Sequence, residues 1–187
     1  MDDHPSVAIG HFGIGAPHVG AKMDMMIAWG VKRFISFGTA GSLQPSLSTG
    51  DIVVCDRAIR DEGLSHHYLP RGRDVTPCPS LTEEIRATLD SNGVVYKTGA
   101  TRTTDAFFRQ TAEDVKRLQD EGVLCTEMEA AALFSIAKYH DIPIASAFVI
   151  SDCLGYLEWN PAFDSDPTLI GWSKILECAL EVAKQSS

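Results

Sequence analysis

The stretch Ile142-Pro143-Ile144-Ala145-Ser146-Ala147-Phe148-Val149-Ile150, followed at once by Ser151-Asp152, decides the fold. It carries no charge and reads as an apolar strand, as expected when both faces of a sheet are covered. Upstream lie a predicted helix over Glu129–His140, a short strand over Val123–Thr126, a helix over Thr111–Asp120 and a strand over Val94–Ala100. Ser80 reads as the N-cap of a helix running to Ser91, with Glu83 as its capping-box partner. Before it, Asp61–Pro79 is rich in Pro, Gly, His and Arg and reads as a long loop, and Asp51–Ile59 is a strand introduced by Thr49-Gly50. At the start, Val7–His11 is a short apolar run entering Gly13-Ile14-Gly15 and reads as a strand. A helix over Pro17–Trp29 follows, with Val19, Met23, Met26 and Ile27 on one face, then a strand over Val31–Phe37. That strand–helix–strand unit favours parallel pairing. Pro167–Lys184 is a last amphipathic helix. The alternation predicts an α/β fold, a three-layer αβα sandwich around a central mixed sheet, as one domain over residues 1–187 with no internal repeat or linker.

The bulk properties narrow the function. A net charge of -9 argues against a nucleic-acid partner, whose phosphates need Lys and Arg to neutralise them. It does not exclude one small anion in a local site. The five cysteines, Cys55, Cys78, Cys125, Cys153 and Cys178, are odd in number, far apart and without metal-ligand spacing, the pattern of reduced thiols in a cytoplasmic protein. No signal segment and no apolar run near the ~20 residues of a membrane helix occurs, so no membrane partner is expected.

Sheets of this kind bind ligands beyond the carboxyl ends of their strands, so the predicted strand exits are where chemistry is sought. Gly13-Ile14-Gly15 and Gly38-Thr39-Ala40-Gly41 read as turns that let backbone approach a ligand and offer amides to an anion; a plain tight turn is the alternative. At Thr126-Glu127-Met128-Glu129-Ala130 two carboxylates flank a methionine where a strand meets a helix. They are either helix-dipole partners or an acceptor for the two vicinal hydroxyls of a ribose, a task that suits a group with two acceptor oxygens. Asp152 ends an apolar strand, where burial favours the protonated acid; a capping aspartate is the alternative. Phe107, within Thr103-Thr104-Asp105-Ala106-Phe107-Phe108, either stacks on a flat base or fills core.

Taken in order, GIGAP (13–17), FGTAGSL (37–43), GDIVV (50–54), EGLSHHY (62–68), TTDAFF (103–108), EMEAAALF (127–134) and VISD (149–152) resemble the nucleoside phosphorylase family, which includes purine nucleoside phosphorylase, uridine phosphorylase and the methylthioadenosine nucleosidases. The resemblance implies that Thr39 contacts phosphate and ribose, Ala40 and Gly41 line the base site, Ile14 touches the sugar and Phe107 lies near the base. It implies that Glu127 and Met128 shape the pocket, Glu129 holds the ribose hydroxyls, and Asp152, beside Ser151, faces the leaving base. Asp152 and Glu129 are then the catalytic pair, and phosphate is the co-substrate, with no metal and no organic cofactor. The partners implied are a nucleoside, phosphate and further copies of the chain in a dimer or hexamer. The reaction implied gives free base and pentose 1-phosphate through an oxocarbenium-like transition state.

Two departures keep alternatives open. Where such phosphorylases carry an arginine three residues before the threonine, this chain has Ser36, and Arg33 starts about 10 Å away along a strand. The upstream phosphate loop of the family has no counterpart here, so the chain is expected to be N-terminally short and phosphate binding weak. A phosphate-independent nucleosidase and a non-catalytic nucleoside-binding relative therefore stand beside the phosphorylase. EGLSHHY and GTAGSLQP look like uridine phosphorylases. Yet Thr111 and Glu113 occupy the places where those read uracil with glutamine and arginine, while Arg109 and Gln110 lie slightly earlier. Asp152 resembles the purine-directed members, and a purine or broad nucleoside substrate is expected. The His66-His67 pair reads as loop histidines of undecided role.

Overall fold

The computed structural model of the chain describes residues 7–185. In chain order its elements are α1 (Ala16–Ala28), β1 (Phe34–Ser42), β2 (Ile52–Asp61), α2 (Ser65–Tyr68), β3 (Asp74–Val75), α3 (Pro79–Ser91) and β4 (Tyr96–Thr104). They continue with α4 (Ala112–Asp120), β5 (Cys125–Glu127), α5 (Ala130–Tyr139), β6 (Ile144–Cys153), β7 (Asn160–Pro161) and α6 (Asp166–Gln185). The sheet order is β3-β2-β4-β5-β1-β6-β7, with β1–β6, β2–β4 and β4–β5 parallel and the other pairs antiparallel. This is the expected central mixed sheet. In addition, Ile52–Val54 of β2 pair antiparallel with Ala147–Val149 of β6, so β2, β4, β5, β1 and β6 close into a ring.

The apolar run that decides the fold is buried on both sides because its alternate residues serve two cores. Ile144, Phe148 and Ile150 pack with Val19 and Met23 of α1 and with Ala131, Phe134 and Ile136 of α5. Ala145, Ala147 and Val149 pack with Leu81, Ile85 and Leu89 of α3 and with Ile175, Cys178 and Val182 of α6. The two-residue period of a strand makes this division, and each large side chain so buried contributes roughly 1.5–3 kcal/mol. A smaller cluster seats α4, with Val115 and Leu118 against Ile59 and Ala100.

Several sequence expectations change. Val7–His11 is not a strand: among the described residues no ladder partner takes it, and Val7 and Ile9 are exposed. Its link to the fold runs instead through Lys22 Nζ, which donates to the His11 carbonyl at 3.3 Å. The predicted parallel unit at the N-terminus therefore does not form. After α1, Gly30 at φ 100° closes a Schellman turn, with its N–H on Ile27 O and that of Val31 on Met26 O, and the chain becomes a strand only at Phe34. Pro79 takes the first helical position of α3, where its fixed φ fits, so the N-cap is Cys78 rather than Ser80. The loop between β2 and α3 is not structureless, since it holds α2 and β3. Buried Arg60 pins it by donating to Ser65 Oγ and to the carbonyls of Leu69 and Pro70.

The largest change concerns Gly38-Thr39-Ala40-Gly41. These residues lie inside β1, in parallel register with Phe148, Val149, Ile150 and Asp152, with one irregularity between Ala40 and Gly41. A β-carbon on Gly41 would sit 2.8 Å from Asp152 Oδ2 and 3.3 Å from Leu154 Cδ1. Gly41 is thus a gap left for a carboxylate, not a turn.

Candidate active site

The site grows from the carboxyl end of β1. Gly41 is the register partner of Thr126 on β5 and of Asp152 on β6. At 4.7–4.9 Å per strand, this sets Thr126 and Asp152 about 10 Å apart with the glycine between them. Asp152 lies within β6 rather than beyond it, 2% exposed. Its Oδ1 accepts from Ser151 Oγ at 2.8 Å and its Oδ2 from Trp159 Nε1 at 2.9 Å. In front of it lies a hollow of about 170 Å³ walled by Phe107, Phe108, Gln110, Leu154 and Trp159. The Phe107 ring stands edge-on to Phe108 at 4.8 Å and to Trp159 at 6.0 Å, so it borders the hollow rather than filling core.

On the other side of Gly41, the two glutamates divide their work. Glu127 is buried and all its acceptor capacity is turned inward. Oε2 takes the backbone N–H groups of Glu129 and Ala130 at 2.7 Å each, and Oε1 takes the hydroxyls of Thr103 at 2.5 Å and Thr101 at 3.4 Å. It satisfies the first N–H groups of α5, the helix-dipole role. Burial pushes the Glu127 carboxyl up to about 7, aided by the charge of Glu129 and opposed by the bonds from Thr103, Ala130 and Glu129. Glu129 is half-buried and turns away, accepting from the Gly15 N–H at 2.5 Å. Burial raises its carboxyl too, and the Gly15 amide offsets part of that. Gly13 and Gly15, at φ 87° and 93°, form the turn that reaches it, with Ile14 exposed at the tip.

A pH dependence of stability follows from Glu127. Its carboxyl ordinarily titrates at 4.5 and titrates near 7 when folded, so between these values the folded chain holds more proton than the unfolded one. Stability from this group is therefore highest below about pH 4.5, falls as pH rises towards 7, and levels off above, a loss of roughly 1–3 kcal/mol. Glu127→Gln keeps an oxygen for the two amides and should flatten that slope. Thermal melts of both forms at pH 5.5 and 8 measure it, and equal slopes would refute the assignment.

The remaining predicted residues are spread over several elements. Thr39 is half-buried, and its hydroxyl has no partner among the described residues. The Ala40 methyl packs into the core under α5. Met128 is half-buried between the two glutamates. Asp152 and Phe107 share the hollow, whereas Glu129 and Ile14 meet at the Gly15 amide outside its walls. Arg33 is ion-paired with Glu84 of α3 and does not stand in for an arginine at Ser36. His66 is exposed, its Nδ1 3.2 Å from Arg60 Nη2, and His67 is exposed. Sequence reasoning missed Trp159 and the lining role of Gln110. The aromatic between Glu158 and the Asn160-Pro161 punctuation was the available signal for Trp159.

With this geometry, residues 4–165 match the family model of the Phosphorylase superfamily. The chain belongs to that family. Among curated relatives, the DeoD-type purine nucleoside phosphorylase of Bacillus cytotoxicus is 28% identical over 183 residues, covering 96% of this chain and 76% of that protein. A DeoD-type purine nucleoside phosphorylase of Bacillus cereus is 27% identical over the same shares. A solved structure of the P. knowlesi homologue of P. falciparum PNP superposes with a TM-score of 0.79 at 19% identity, covering 95% of this chain and 69% of that one. This last likeness speaks for the fold alone. Among the described residues, no helix of this member is long and apolar enough to cross a membrane.

Proposed function

We propose that the chain binds a purine nucleoside and cleaves its base–ribose bond with phosphate, releasing free base and pentose 1-phosphate. The observation that carries the reading is the shared register at Gly41, which brings Asp152 and the Glu127–Glu129 turn to the two sides of one strand end. The family membership and the DeoD-type relatives support the substrate class. In this reading the base enters the hollow against Phe107. Asp152 gives a proton or a hydrogen bond to a purine nitrogen as the C1′–N electrons pass to the base. Glu129 accepts from the ribose hydroxyls and holds C1′ in line for attack, and the Thr39 hydroxyl faces the phosphate. No metal or organic cofactor enters the reaction. The chain works as one domain in a cytoplasmic homo-oligomer.

Inosine incubated with and without phosphate tests this. Hypoxanthine and ribose 1-phosphate should form only when phosphate is present. Release at the same rate without phosphate, giving free ribose, would replace phosphorolysis by hydrolysis. That second reading is favoured by Ser36 and by the commitment of Arg33 to Glu84. Under it methylthioadenosine is cleaved in phosphate-free buffer. Saturable nucleoside binding with no cleavage of any kind would overturn both.

A further inference from the structure

Trp159 lies seven residues beyond Asp152, in the segment that leads into β7, and its indole N–H returns to Asp152 Oδ2 at 2.9 Å. Ser151 holds the other oxygen at 2.8 Å. The two donors differ in kind. An indole N–H only donates, whereas a hydroxyl donates and accepts. Oδ2 is therefore kept as an acceptor, in space that Gly41 leaves open, since a β-carbon there would lie 2.8 Å from it. Both oxygens accept in the structure; the Ser151 hydroxyl, unlike the indole, can turn to accept, so Oδ1 is where Asp152 would carry a proton for the base. The Trp159 ring, 47% exposed, makes edge contacts to Phe107 at 6.0 Å, Phe108 at 6.2 Å and Phe163 at 6.4 Å, and it forms a wall of the hollow.

We infer that Trp159 is a positioning residue for base departure, orienting the Asp152 carboxyl and steadying the charge left on it once its proton has gone to the base. The inference rests on the cleavage reading above. In the step concerned, the C1′–N bond breaks with its electron pair going to the base, the Asp152 Oδ1 proton moves to a base nitrogen, and phosphate forms the new bond to C1′. Asp152 ends as a carboxylate between two donors, and hydrogen bonds strengthen as charge develops on the acceptor.

The test compares two substrates on the 187-residue chain. Inosine needs a proton on its leaving base. 7-Methylinosine already carries the positive charge on its base and leaves without one. Trp159→Phe keeps a ring for the aromatic contacts and removes the N–H. It should lower kcat on inosine about 10- to 50-fold more than kcat on 7-methylinosine, with KM for inosine within about threefold. The inosine to 7-methylinosine rate ratio is independent of how much chain is folded, so it can be read even from a destabilised variant. Trp159→Leu gives the same ratio should the Phe form fail to fold. An unchanged ratio in either variant overturns the positioning role while cleavage by the parent chain stands. If the parent chain turns over neither nucleoside, the proposed function falls and takes this role with it.

Discussion

Asp152→Asn is expected to slow hypoxanthine release from inosine by about 10²- to 10⁴-fold, the usual contribution of a positioned proton donor. The substitution isolates chemistry from folding because of who surrounds the side chain. Trp159 can only donate, so the carboxamide oxygen must take the Oδ2 place and its NH₂ the Oδ1 place. There the Ser151 hydroxyl can reverse and accept. Both bonds survive, and Gly41 still leaves room for a group of the same shape. What is lost is an acidic proton on the oxygen side of the site, which an amide cannot supply. The melting temperature should move by no more than a few degrees while the rate collapses. A continuous ultraviolet assay of base release, beside a melt, measures both, and a variant within threefold of the parent rate would remove Asp152 from the chemistry.

The fold was legible where a pattern is local. The helices over α1, α4, α5 and α6 and the strand β6 follow from periodicity within the window that forms them. What escaped is set by partners distant in sequence. Val7–His11 is as apolar as a strand but no described neighbour pairs with it, and hydrophobicity alone does not supply a ladder. Gly38-Thr39-Ala40-Gly41 looks like a break because glycine usually marks one, yet the need for space there comes from Asp152, more than a hundred residues later. The β2–β6 closure and the two-residue strands β3 and β7 are likewise products of packing. In the site, the residue types at 127, 129 and 152 were readable from their strand ends. Their division of labour was not, since only the threonines of β4 and the first amides of α5 decide that Glu127 looks inward. Trp159 had no periodic context at all, and its meaning lies in a single bond to Asp152.

Glu129→Ala is expected to cost about 10- to 100-fold in kcat/KM on inosine, the worth of one or two hydrogen bonds to a charged acceptor. Two effects combine in that number. Glu129 Oε1 anchors the Gly15 amide, so its loss loosens the Gly13–Gly15 turn, which is then held by the bonds from His18 and Val19 N–H to the Gly15 carbonyl. The carboxylate is also the proposed acceptor for the ribose hydroxyls. A nucleoside lacking those hydroxyls separates the two. For 2′,3′-dideoxyinosine the acceptor has nothing to hold, so only the turn effect remains and the loss should be within about threefold. Glu129→Gln keeps an oxygen for Gly15 and removes the charge, so it should lie between the parent and the alanine form on inosine and near the parent on the dideoxy substrate. Steady-state kinetics of three proteins on two nucleosides give the answer. Equal losses on both substrates would mean that Glu129 only shapes the turn, and the sugar would need another anchor. A loss confined to inosine would assign the diol to Glu129, on the opposite side of Gly41 from the acid that faces the base.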